Sequence, residues 1–326
     1  MSTEVPRSRR SHDRADRQAR NRLIGLSGVA ALALVGGLTL FWWYRAQDPV
    51  RDGAPGWFPD GRALVFAGEV GTGRADIYRM DLDGGGREQL TEDPANDSAP
   101  AVSPDGRRIA FESDRDGNYE IYVMDVSGAN QVRLTNDPAR DQAPTWSPDG
   151  RRLAFTSDRD NRASADVYLM NADGTGVERL SNDQAHWAPQ FSPDGTKLAA
   201  QVNLDVQIFG LTDGSRQRLT FAPQNGMNPT WSPDGRRLAF VTTRNGRAEI
   251  FTMNADGADA KVLVTMATGY AIDPRWSPDG SRVAFVMVPA VEAGAEPAPT
   301  DTPRPEDAPA IYTIEVASGV VTRLSR

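Results

Sequence analysis

The sequence predicts an all-β protein: a six-bladed β-propeller of four-stranded blades, preceded by one N-terminal transmembrane helix. Three observations carry that reading. Pro-Asp-Gly recurs at Pro59, Pro104, Pro148, Pro193, Pro233 and Pro278, at spacings of 45, 44, 45, 40 and 45 residues. Periods of this length mark solenoids or propeller blades. Turn residues recur roughly every 8–12 positions inside each unit, with almost no helical periodicity, which selects strands. Ahead of the first unit, Leu23 to Tyr44 run for 22 residues without a charge.

That apolar run is long enough to cross a hydrocarbon layer of about 30 Å as a helix. Residues 1–22 carry seven arginines against Glu4, Asp13 and Asp16, and form a cytoplasmic tail in this reading. A cleaved signal peptide would have a shorter apolar core followed by small residues. Here Phe41, Trp42, Trp43 and Tyr44 stand in that place, as aromatic anchors would, so the helix 23–44 is expected to stay. Residues 45–53 are then a short tether reaching about 30 Å at most. The propeller, 54–326, is expected outside the cytoplasm, held at the cell membrane by a single pass.

Each unit reads as four short strands. The first ends at the turn, as in Ala143-Pro-Thr-Trp-Ser147. In the turn, Pro presets φ, Asp bonds the local backbone and Gly takes the left-handed position. The second strand alternates large residues with Ala, as in Leu153-Ala-Phe155 and Ile109-Ala-Phe111. The third repeats a branched-aromatic-x-Met theme at Ile77–Met80, Ile121–Met124, Val167–Met170 and Ile250–Met253. The fourth ends in Arg-Leu-Thr or Arg-Leu-Ser, at 133–135 and 179–181. Blade 6 carries an insertion at 288–310, VPAVEAGAEPAPTDTPRPEDAPA, too rich in Pro, Ala and Glu to bury a core and expected as a disordered acidic loop. No strand is left over for a swap between the ends, so face packing between blades 1 and 6 should close the ring.

WSPDGRRLAF at 146–155 and DRDGNYEIYVMD at 114–125 resemble the WD40-like PD40 repeat of TolB-type propellers, and the resemblance extends over residues 53–326. It implies the propeller fold. TolB proteins are soluble periplasmic components of an envelope complex and carry a separate domain ahead of the propeller. This chain departs by having the apolar run there instead.

The whole chain has a net charge of −8 and residues 1–22 contribute +4, leaving −12 on residues 23–326. A nucleic-acid binder would show a basic stripe instead. There is no cysteine, so disulfides and thiolate zinc sites are excluded. Two lysines against 34 arginines suit a GC-rich bacterial source. His12 and His186 are the histidines, and no G-x-S-x-G occurs, so a Ser-His hydrolase has nothing to stand on. No catalytic activity and no cofactor are expected. Asp114, Asp116, Asn118 and Glu120 alternate in a way that can suit Ca²⁺, although the bland reading is turn chemistry. The recurring methionines, and Trp57, Trp146, Trp231 and Trp276 before the turns, are expected in the packing.

Positions where the repeats disagree are the better guide to a ligand. Three residues before each first-strand proline, the units read Asp52-Gly-Ala54, Asp97-Ser-Ala99, Asp141-Gln-Ala143, His186-Trp-Ala188, Gly226-Met-Asn228 and Ala271-Ile-Asp273. These surround one channel opening. Asp97, Asp141, His186, Trp187, Met227, Asn228 and Asp273 are therefore the candidate binding residues, forming a rim half acidic and half apolar. The leading expectation is a membrane-anchored scaffold that binds a cell-envelope protein. The alternative is a sensor or carrier that holds a glycan, peptide or metal ion at the same mouth.

Overall fold

The computed structural model describes residues 52–325 apart from 70–73, 84, 161–163, 182–185, 223–224, 245–246, 268 and 290–308, and apart from the side chains of Asp52 and His186. The expected tail and transmembrane helix, most of the tether, and nearly all of the 288–310 insertion lie outside the described residues.

Six four-stranded antiparallel meanders form the ring, and within each every strand pairs with its neighbours in sequence. In blade 3 the strands, from the axis outward, are Asp141–Trp146, Arg152–Ser157, Asp166–Asn171 and Glu178–Arg179. Blades 1, 2, 4, 5 and 6 repeat this over 52–89, 97–133, 186–218, 227–264 and 270–323.

The large/small alternation of the second strand sets the stacking. Leu153, Phe155 and Met170 pack back onto Ala110, Ile121 and Val123 of blade 2. On the opposite face Ala154, Val167 and Leu169 receive Phe191, Leu198 and Phe209 of blade 4. A bulky face meeting a slimmer one lets near-identical wedges nest at native packing density. Phe155 pairs across the strands with Tyr168, ring centroids 5.7 Å apart, and Phe66–Tyr78, Phe111–Tyr122 and Phe285–Tyr312 repeat the contact. Met80, Met124, Met170 and Met253 are buried in these layers, as expected of packing residues.

The repeated turn is also an inter-blade contact. Ser147 Oγ donates to Asp149 Oδ1 at 2.6 Å, and the same oxygen accepts the Arg151 amide at 3.0 Å. The Ser147 hydroxyl beside Asp149 holds its carboxyl below the usual range. Gly150 sits at φ +67°, where a Cβ would lie 3.7 Å from Pro104 Cδ of blade 2. Gly106 meets Pro59, Gly195 meets Pro148, Gly235 meets Pro193 and Gly280 meets Pro233 in the same way. The ring closes as Gly61 meets Pro278. Trp146 and Trp231 stitch blades together too: Trp146 Nε1 donates to Ala101 O at 3.0 Å and Trp231 Nε1 to Gln190 O at 3.2 Å, whereas Trp276 Nε1 is buried without a partner.

Closure follows the expected route. Trp57 Nε1 of blade 1 donates to Arg275 O of blade 6 at 3.0 Å, and Leu64, Phe66 and Met80 pack on Ala284, Ile311 and Leu324. Blade 4 owes its shorter spacing in part to a tight hairpin. Val202 pairs with Asp205, so only Asn203, at φ +55°, and Leu204 make the turn.

The Arg-Leu-Thr endings staple the outer strand to the third. Glu120, buried, accepts Arg133 Nη2 at 2.6 Å and Thr135 Oγ1 at 2.6 Å, and the Ile121 amide donates to that hydroxyl. Asp166–Arg179–Ser181 does the same in blade 3. In blade 1 Gln89 replaces the arginine. Its Nε2 donates to Asp76 Oδ2 at 3.0 Å and to Thr91 O at 2.9 Å. Asp76 thus keeps the fold contact, and among the described residues no cation pairs with it. Burial, with Asp97 and Asp93 nearby, pushes its carboxyl up to about 6 against the Thr91 and Gln89 hydrogen bonds.

Candidate functional site: the divergent channel mouth

First strands start at one end of the channel and finish at the Pro-Asp-Gly ring at the other. At the starting end every blade contains a bulge. The pairing of the first two strands shifts between Ser98 and Ala101 in blade 2, between Trp187 and Gln190 in blade 4, and equivalently elsewhere. The bulged residue is left-handed in all six blades: Ala54, Ala99, Ala143, Ala188, Asn228 and Asp273, at φ +48° to +52°. Such a conformation costs an L-residue roughly 1–2 kcal/mol. A bulge re-aims the chain where a strand meets a functional rim.

The sequence-predicted residues fall into three groups. Asp97 and Asp141 are fully buried rather than a solvated acidic rim. Arg115 reaches Asp97 at 3.0 Å and Asp93 at 2.5 Å, and Arg159 reaches Asp141 at 2.7 Å. Burial pushes both buried aspartates up, against the lowering effects of Ser113 and Arg115 on Asp97 and of Ser157 and Arg159 on Asp141. Sequence polarity revealed the acids; it did not reveal that an arginine from the adjacent loop would cover each one. Met227 is buried in the core of blades 5 and 6 with Val241 and Val264, so it is a packing residue.

Asn228 and Asp273 come together across blades 5 and 6: Asn228 Nδ2 donates to Asp273 Oδ1, while Asn228 Oδ1 has no partner. Trp187 is half-buried and pairs with Gln201, and His186 stands at the start of the same strand, paired with Val202.

The four calcium candidates are taken up by hydrogen bonds and ion pairs of the fold itself. Asp114 accepts the Asn96 amide at 2.8 Å, and Asp116 meets Arg133 at 3.0 Å. Asn118 Nδ2 donates to Asp137 O at 3.0 Å, and Glu120 belongs to the strand staple. Among the described residues no group of three or more acidic or histidine side chains could hold a metal ion.

Residues that sequence reading passed over complete the mouth. Glu112, buried, accepts Ser98 Oγ at 2.6 Å and the amide of bulged Ala143 of blade 3 at 2.7 Å. Its counterparts are Thr156 in blade 3 and Gln201 in blade 4, but Ala67, Val241 and Val286 in blades 1, 5 and 6. Thr156 Oγ1 and Gln201 Oε1 are buried without a hydrogen-bond partner. Unpaired buried acceptors are rare in folded proteins and each calls for a donor. The mouth is therefore polar over blades 2 to 4 and apolar, at this level, over the rest.

The PD40 model, described as the TolB beta propeller domain, matches residues 45–129, 98–187 and 181–294. The chain belongs to this family. A TolB-type propeller therefore forms most of the protein. An uncharacterized protein of Agrobacterium fabrum is 31% identical over 203 residues, covering 57% of this chain and 53% of that protein. An uncharacterized peptidase of Bacillus subtilis, YuxL, is 34% identical over 92 residues, 25% of this chain and 14% of the peptidase. The chain thus spans about half or less of the curated relatives it matches. The crystal structure of TolB from Acinetobacter baumannii superposes with a TM-score of 0.62 at 31% identity, covering 69% of this chain and 56% of that one.

Proposed function

We propose that this TolB-type propeller is a membrane-anchored, extracytoplasmic docking protein that binds a cell-envelope protein at the divergent mouth, without catalysis. The observation that carries the reading is the contrast between the two channel ends. At the Pro-Asp-Gly end one turn repeats in all six blades, with each Gly against the preceding Pro, so the residues there answer to packing. At the other end a ring of strained bulges is flanked by side chains that differ from blade to blade. Left-handed non-glycine residues gather where function over-determines the backbone. Likeness to TolB supports a protein partner by family analogy. The 22-residue apolar run supports the anchor, and tethering would raise the effective concentration toward membrane partners.

Photocrosslinking in native membranes tests this, with the reactive group at Trp187 or at exposed Phe221 on the divergent face and at Arg151 on the opposite face as control. One discrete protein adduct from the first pair, missing from the control, is expected. Equal adducts from both faces, or none, would sink the docking reading. The unpartnered acceptors Thr156 Oγ1 and Gln201 Oε1 favour a second reading, a small donor-bearing ligand at the same mouth. It predicts ligand-dependent thermal stabilisation of the protein.

A further inference from the structure

Three blades carry an arginine four residues after the second-strand aromatic: Arg115, Arg159 and Arg244 follow Phe111, Phe155 and Phe240. In each the guanidinium lies over an aromatic ring of the third strand, Tyr122, Tyr168 and Phe251, at 4.6, 4.8 and 3.8 Å from the centroid. In blades 2 and 3 the arginine is completed by a carboxylate from its own chain, Asp97 or Asp141, three residues before the first-strand proline. In blade 5 that position is Gly226. A Cβ on Gly226 would lie 2.8 Å from Thr220 Oγ1 and from Val206 Cγ2, so the blade has no room to supply the acid itself. Arg244 is exposed, and among the described residues no carboxylate pairs with it. It borders a small cleft between blades 4 and 5 that Leu219, Thr220, Phe240, Thr242 and Met253 also line.

The surrounding loops lack acids as well. Residues 220–226, 242–248 and 265–272 contain Arg244 and Arg247 and neither Asp nor Glu. Arg247 is exposed and donates to Ala267 O at 2.8 Å. Exposed Phe221 stands beside this cluster on the same face, with Arg218 over its ring at 4.8 Å.

The geometry points to a carboxylate-recognition subsite at Arg244, which takes an acidic side chain or C-terminal carboxylate of a partner peptide in the place that Asp97 and Asp141 fill in blades 2 and 3. A guanidinium preorganised over a ring presents its fork to a carboxylate with little ordering left to do. The Thr242 hydroxyl lies in the same cleft as an additional hydrogen-bonding group, whereas Thr220 Oγ1 is committed to Asp205 Oδ1 and the Val206 amide. This deepens the docking reading and rests on it.

The test is fluorescence anisotropy of a labelled oligoglutamate peptide with the full-length protein, alongside an oligolysine peptide. Arg244→Gln removes a charge-assisted pair and should weaken oligoglutamate binding about tenfold or more. Arg244→Lys should fall between, and Arg236→Gln at the opposite mouth should match wild type. All three variants should melt close to the wild type, since among the described residues neither Arg244 nor Arg236 carries an ion pair. Glutarate should displace the peptide more effectively than inorganic phosphate at equal concentration. No oligoglutamate binding by the wild type, binding unchanged by Arg244→Gln, or equal binding of oligolysine overturns the subsite; preferential displacement by phosphate overturns the carboxylate assignment. If the crosslinked adduct at Trp187 persists in Arg244→Gln with unchanged yield, the docking face stands and the subsite fails alone.

Discussion

Both ends of the channel carry a ring of six left-handed residues, and the two rings are built from different chemistry. At the Pro-Asp-Gly end the residue is glycine in every blade, at φ +67° to +70°. At the other end it is alanine in four blades and Asn228 and Asp273 in the remaining two, at φ +48° to +52°. Glycine adopts this backbone at no steric cost; the others do not. One end relaxes its turn and spends its side chains on blade packing. The other keeps strained residues and lets their neighbours vary. The difference teaches which end is scaffold and which end is free to acquire specificity.

The comparison breaks most visibly through the buried pairs under the divergent mouth. Arg159→Met would leave Asp141 buried and unpaired, a loss of about 3–5 kcal/mol in denaturant unfolding. A change near zero would mean that the pair is not what holds this mouth. Next come the two rings themselves. Gly150→Ala, at φ +67°, should cost roughly 1–2 kcal/mol because an L side chain must enter the left-handed region. Ala143→Gly on the opposite ring should act in the other direction. Relief of strain outweighs the added chain entropy, for a gain of about 0.5–1 kcal/mol. Equal signs for the two substitutions would remove the distinction between the ends.

The smallest effect is a pH slope at the junction of blades 1 and 2. Asp76, facing Gln89 where blades 2, 3 and 4 have arginine, has its folded carboxyl raised to about 6 from 3.8. The native state therefore binds the proton more tightly than the unfolded chain does. Its contribution to stability rises as pH falls from about 7 toward 4 and is lost as pH rises through 6. Groups facing it are Thr91, Gln89, Asp93 and Asp97, with Arg115 paired to the last two. Asp76→Asn should raise the unfolding midpoint at pH 7.5 and flatten its change between pH 4 and 7. An unaltered pH profile in that variant would show that Asp76 is not the titrating group.

Much of this architecture was legible in the chain, for reasons particular residues make plain. Leu153-Ala-Phe155 states which face is bulky, and that alternation is the stacking rule seen between blades 2, 3 and 4. Candidate site residues were legible in kind more than in role. Repeat divergence pointed to Asn228 and Asp273, which meet across two blades, but it also pointed to Met227, which is core. It flagged Asp97 and Asp141 without their arginines, because the partner lies 18 residues away and only pairing of the first two strands brings it near. Glu112, Thr156 and Gln201 were visible in the same alignment, one residue past the Phe or Ala that ends the repeated motif, as polar exceptions to Ala67, Val241 and Val286.

By itself the sequence determined the blade count, the strand order and the turn chemistry. Each of these depends on local patterns repeated in phase: alternation of period two, a Pro-Asp-Gly turn, and one unit per blade. Only the tertiary structure decided which polar residues are satisfied. Whether Asp141 is a solvated rim charge or a buried ion pair, and whether Arg244 has a carboxylate within reach, turns on distances between residues on different strands and blades. Those distances are set when the wedges close into a ring, and no local pattern encodes them.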